Sequence, residues 1–110
     1  MLASIVYVTT STNEEAQEIA RSVVADRLAA CANILGNISS IYLWQSEHCE
    51  SSETALLLKT SPELITSLTK RIKELHSYDC PCIVVLGVVG GNHDFIEWIK
   101  QETINKKPTC

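Results

Sequence analysis

The chain is predicted to be an α+β protein with the element order β-α-β-β-α-β and one further helix near its C-terminal end. Three observations point there. Two amphipathic helical segments each follow a short β-rich run, and a polar stretch near the middle separates two further extended runs. A weak internal echo also sets Thr9-Thr10-Ser11 before the first helix against Lys59-Thr60-Ser61 before the second. At 110 residues, 45% hydrophobic and 20% charged, the sequence fits one globular domain, 1–110, large enough to bury a core.

Each element has a local reason. Ser4 to Thr10 is β-rich. Thr12-Asn13-Glu14-Glu15 is a capping box, with a Thr hydroxyl for the orphan amides and a Glu three residues on to answer it. Ala16, Ile19, Ala20, Val23, Val24 and Leu28 then recur at helical spacing, which gives one apolar stripe. Ala29 to Ile34 enters a second extended segment, Gly36-Asn37 reads as a turn or bend, and Ile38 to Trp44 as strand. The polar run Gln45 to Ser52 reads as a hairpin tip from which Glu53 to Thr60 returns.

Ser61 is expected to cap the second helix, with Pro62 at its first position, where a missing N–H costs nothing. Ile65, Leu68, Ile72 and Leu75 make its buried stripe. The joint from His76 to Pro81 ends it, because the residue before a proline is pushed out of helical geometry. Ile83 to Val89 is a nearly continuous apolar run, read as a buried strand, and Gly90-Gly91-Asn92 as a turn. Asp94 to Thr103 is a third helix that turns Phe95, Ile96, Trp98 and Ile99 to the core; Asn105 to Cys110 reads as a tail. This order is that of the split ferredoxin-like sandwich. All its helices would cover one sheet face. Tyr42, Trp44 and the Leu56-Leu57-Leu58 run would leave the other face apolar, so a closed oligomer is expected.

Charge and composition exclude several classes. A net charge of −4 with no basic stripe argues against nucleic-acid binding. Lys70, Arg71 and Lys73 cluster near a helix C-terminus, where the helix dipole favours positive charge. No apolar run is long enough for a transmembrane helix, and the N-terminus lacks the charged start of a signal peptide. The five cysteines, an odd number, are then expected as reduced thiols in the cytoplasm.

The segment from Glu74 to Cys82 gathers the chemistry. His76, Cys80 and Cys82 offer one imidazole and two thiols within seven residues, a soft donor set suited to copper(I) or zinc. Against a structural site, C-x-C is not the spacing of zinc knuckles, and three ligands are one short. A strand cysteine also commonly acts as a small hydrophobe. His48-Cys49 is a second soft pair on the hairpin. Lys59 at a strand end, with Glu53, His76 and Tyr78 expected within reach, forms a candidate binding set for an anionic ligand. No catalytic constellation is present: Glu14-Glu15 belongs to a helix's first turn, and Gly90-Gly91-Asn92 is too short for a phosphate loop. The chain is not expected to be an enzyme.

Five motifs in register span almost the whole chain: Arg27 to Ile34, Ser40 to Trp44, Leu57 to Thr60, Glu74 to Pro81 and Gly91 to Trp98. Together they resemble the CutA family of divalent-cation tolerance proteins. The resemblance implies a cytosolic homotrimer of ferredoxin-like subunits, similar in architecture to the PII signalling proteins and with clefts between subunits; the alternative reading is a PII-like small-molecule sensor that binds an anionic ligand in those clefts near Glu53, Lys59, His76 and Tyr78. It implies a role in tolerance to copper or another divalent metal, with metal ions and a second copy of the chain as partners and no cofactor required. The copper ligands proposed for the bacterial family are a Cys ending the first strand and two adjacent His before the Tyr joint. Here the first strand ends Val8-Thr9-Thr10, and Leu75 precedes His76. The family's Glu after the joint proline is Cys82, and its hairpin Gly after Trp44 is replaced by Gln45-Ser46. Cys80 and Cys82 are therefore expected to stand in for the absent ligands.

Overall fold

Alternation along β1 (Ala3–Thr10) fixes which side of the sheet becomes interior. Val6 and Val8 are fully buried, whereas Ile5 and Tyr7, on the opposite face, are half-buried. The structure is a computed structural model that describes residues 1–103; the expected tail from Asn105 to Cys110 lies outside the described residues. After β1 come α1 (Asn13–Ala25), β2 (Cys31–Trp44), β3 (Glu47–Thr60), a 3-10 turn at Pro62–Leu64, α2 (Ile65–Leu75), β4 (Ile83–Val88) and α3 (His93–Thr103). The strands make one antiparallel sheet in the order β2-β3-β1-β4, as expected for the ferredoxin-like sandwich. No helix among the described residues is long and apolar enough to cross a membrane.

The α1 and α2 stripes, with Ile19, Val23, Leu68 and Ile72 fully buried, pack on Val6, Val8, Leu56 and Leu58. Thr12 caps α1 as its sequence predicts, its Oγ1 accepting the Glu15 N–H at 3.1 Å. Past Ala25 the chain turns through Arg27 at φ 60°, and the Leu28 and Arg27 N–H groups close back on the Val23 and Val24 carbonyls. That is the usual reverse turn ending a helix, with arginine where glycine is common. Leu28 therefore packs on the core from outside the helix.

Several expectations change. Gly36 does not break β2: the strand runs through it with a β-bulge between Ile34 and Gly36, and the glycine supplies φ 104°. The hairpin tip is only Gln45-Ser46, both at positive φ, and the polar residues 47–52 are strand. Polar side chains there suit an arm exposed to solvent on either side. Leu56 and Leu58 face the helices, because register pairs them with Val8 and Val6; of that run only Leu57 lies on the open face. β4 is an edge strand, with Val84 at 48% and Leu86 at 52% exposure.

Ser61 makes no cap; its hydroxyl pairs with that of Thr103 instead. α3 also stands apart from the α1/α2 layer. It contacts β3 and β1, and Ile99 is buried outside the main core. Phe95 and Trp98 are about two-fifths exposed, with ring centroids 5.4 Å apart, so they lie at the surface rather than fill the interior.

Candidate functional site

Beyond the last β1 pair, Thr10 with Thr54, residues 47–53 of β3 pair only with β2. The hairpin therefore projects as a two-stranded arm. Register places Tyr42 opposite Cys49 and Ile38 opposite Glu53, so Tyr42, Trp44, Cys49 and Glu53 share one face of that arm. The joint between α2 and β4 sits against this face. Tyr78 ties the two together: its hydroxyl donates to Glu53 Oε2 at 2.8 Å. Burial, this bond to Glu53 and the negative charge of Glu53 push the Tyr78 phenol up to about 12.

His76 holds the start of the joint. Its side chain is fully buried. Nε2 lies 2.8 Å from the Thr9 carbonyl, which can only accept, so Nε2 carries the proton; Nδ1 accepts the Tyr78 N–H at 3.1 Å. Both ring nitrogens are thus engaged within the chain. The reason is local: leaving α2 in an extended conformation turns the ring onto the end of β1.

Glu15 completes the clamp from α1. It lies in the capping box, yet its Oε1 accepts from the Ser11 N–H and hydroxyl at 2.9 Å, while Oε2 accepts the Ser77 N–H at 2.6 Å. Burial alone would raise its carboxyl, but the hydrogen bonds from Ser11 and Ser77 outweigh it and hold the group below the ordinary value.

Arm and joint enclose a cavity of about 450 Å³. Its walls carry two carboxylates, Glu53 and Asp79, three thiols, Cys49, Cys80 and Cys82, and the rings of Tyr42, Trp44 and Tyr78. No basic side chain is among the residues that line it. Hard and soft cation donors therefore face one space.

The sequence-derived sets are partly gathered and partly separated. Glu53 and Tyr78 are bonded to each other, and Cys80 and Cys82 line the cavity, but His76 lies behind the wall and offers no free lone pair. The joined set His76, Cys80 and Cys82 does not converge: among the described residues, no three His, Cys, Asp or Glu side chains already surround a point as metal ligands would. Lys59 is six residues from Glu53, or about 20 Å at the rise of a strand. Its ammonium lies 5.4 Å from the centre of the Phe95 ring on α3. Within one subunit, Lys59 therefore stands apart from Glu53 and Tyr78.

Asp79, Cys49 and Glu15 were not assigned to a site from sequence. Only the soft pair His48-Cys49 carried a signal; the link from Glu15 to Ser77 spans 62 residues and has no local signature.

A profile of the CutA1 divalent ion tolerance protein family matches residues 4–102. The Thermus thermophilus divalent-cation tolerance protein CutA is 39% identical over 102 residues, covering 93% of this chain and 99% of that one. The chloroplastic protein CutA of Arabidopsis thaliana is 38% identical over 101 residues, 92% of this chain, which spans 56% of that longer protein. Among solved structures, the periplasmic divalent cation tolerance protein CutA of Archaeoglobus fulgidus superposes with a TM-score of 0.89 at 32% identity, covering 92% of this chain and 98% of that one. These names set relatives in different compartments, and they denote a tolerance function rather than a reaction. The chain belongs to the CutA1 divalent ion tolerance protein family.

Proposed function

We propose that the chain serves divalent-cation tolerance by holding metal ions, copper among them, in the cleft between hairpin arm and joint. The observation that carries this reading is the donor set: Glu53, Asp79 and three thiols face one cavity with no basic side chain among its lining residues. Carboxylates suit harder divalent ions and thiolates softer ones. The anionic-ligand sensor is the weaker reading, because within one subunit Lys59 lies over the Phe95 ring, away from Glu53 and Tyr78.

The working form is a homotrimer in the cytoplasm. Supporting the first point, Ile5, Tyr7, Leu57, Val84 and Leu86 share the sheet face opposite α1 and α2, and an apolar face of this kind favours a covering copy. Supporting the second, Cys31, Cys49, Cys80 and Cys82 are free thiols, the state that a reducing compartment maintains.

Thermal-shift measurements across divalent metals, nucleotides and small organic anions test the reading. A metal at 100 times its Kd adds about 2.7 kcal/mol to the folded state. Melting temperature should rise with metals and not with the anions; the reverse pattern would reject metal holding.

A further inference from the structure

The cleft is softer than divalent-cation tolerance alone requires. Cys49 comes from the projecting arm, while Cys80 and Cys82 come from the joint, and all three line the same cavity. Thirty residues lie between Cys49 and Cys80, so the fold, not the sequence spacing, creates this set. We propose that Cys49, Cys80 and Cys82 form a three-thiolate site for copper(I), an inference that rests on the cleft being a metal site.

Thiolates select soft ions, copper(I) foremost among those that a reducing cytoplasm supplies. His76 cannot complete the set, since both of its nitrogens are held by Thr9 and Tyr78. Three sulfurs also fall short of the four ligands of a structural zinc site, whereas copper(I) is satisfied by fewer donors. As each S–Cu bond forms, one thiol proton passes to solvent, and copper undergoes no change in oxidation state.

The thiols do not converge in advance, and the local backbone explains how they can. Residues 76–82 lie in neither helix nor strand. The joint is pinned at Tyr78 by Glu53 and at Ile83 by pairing with Val8, which leaves Asp79 to Cys82 between two anchors without ladder bonds. Cys80 is exposed and Cys82 half-buried, so both can change rotamer. Across the cavity, the Cys49 thiol is held only by a long contact of 3.7 Å to the Glu47 carbonyl.

The test is anaerobic competition for copper(I) against a chromophoric chelator, using the full chain and its Cys49→Ser, Cys80→Ser and Cys82→Ser variants. Ultraviolet sulfur-to-copper charge-transfer absorption provides a second readout, and circular dichroism confirms folding. Each variant should bind copper(I) at least tenfold more weakly and lose part of the absorption band. Wild-type affinity in Cys49→Ser overturns the three-thiolate site, even if the other two variants are weakened. Wild-type affinity in all three, together with a thermal shift by divalent metals, also overturns it but leaves the proposed function standing. If neither copper(I) nor any divalent metal binds, both readings fail.

Discussion

Replacing His76 with leucine should cost about 3 kcal/mol of stability. The ring is fully buried and satisfies two backbone groups from distant parts of the chain, the Thr9 carbonyl at 2.8 Å and the Tyr78 N–H at 3.1 Å. Leucine fills similar space but strands both groups, at about 1–3 kcal/mol each. Glutamine is the informative comparison: its amide N–H can still reach Thr9, so only the Tyr78 N–H loses its partner, and the cost should be about half. For a chain of this length these losses lower Tm by about 12 °C and about 6 °C. Guanidinium unfolding at a fixed protomer concentration measures both, since an oligomer's apparent stability depends on concentration. A leucine variant within about 1 kcal/mol of the parent, or a glutamine variant as unstable as leucine, would refute the clamp, judged against the range of ordinary substitutions. Metal affinity per folded His76→Gln protein should stay unchanged, whereas its loss would return the imidazole to the ligand set.

Three further outcomes follow from the same geometry. Ser46→Gly should raise stability by about 1 kcal/mol, because Ser46 sits at φ 69° in a two-residue turn that favours glycine; unchanged thermal unfolding would contradict it. The lowered Glu15 carboxyl contributes stability that is present above its ordinary value and lost as pH falls through its folded value. Glu15→Gln should therefore flatten the acid limb of a stability–pH curve, and an unaltered limb would count against the Ser77 link. Tyr78 works in the opposite sense: its raised value gives stability that is complete below pH 10 and lost as pH rises toward about 12, so Tyr78→Phe should remove that alkaline decline.

Much of the fold was legible because local rules decided it. The Thr12 cap, the α1 and α2 stripes and the strand–helix alternation follow from adjacent residues. What escaped had non-local causes. Gln45-Ser46 carries no strong turn signal, so a tight hairpin looked like a long polar loop. The Ile83–Val88 run looked interior because an apolar edge strand and a buried one share a pattern; only the sheet order separates them. Phe95 and Trp98 have core spacing but remain about two-fifths exposed.

The site divided in the same way. The joint was visible as a concentration of unusual side chains, and Glu53, Tyr78, Cys80 and Cys82 do gather there. Which of them face the cavity was not visible. His76 turned inward because Thr9 and Tyr78 use both its nitrogens, and Cys49 joined because the arm extends past β1.

If metal ions sit between arm and joint, anomalous diffraction at the copper edge from metal-soaked crystals will show a peak inside the cavity, within bonding distance of donors drawn from Cys49, Glu53, Asp79, Cys80 and Cys82. A fully occupied peak elsewhere, or an empty cavity under saturating metal, would contradict metal holding in this cleft.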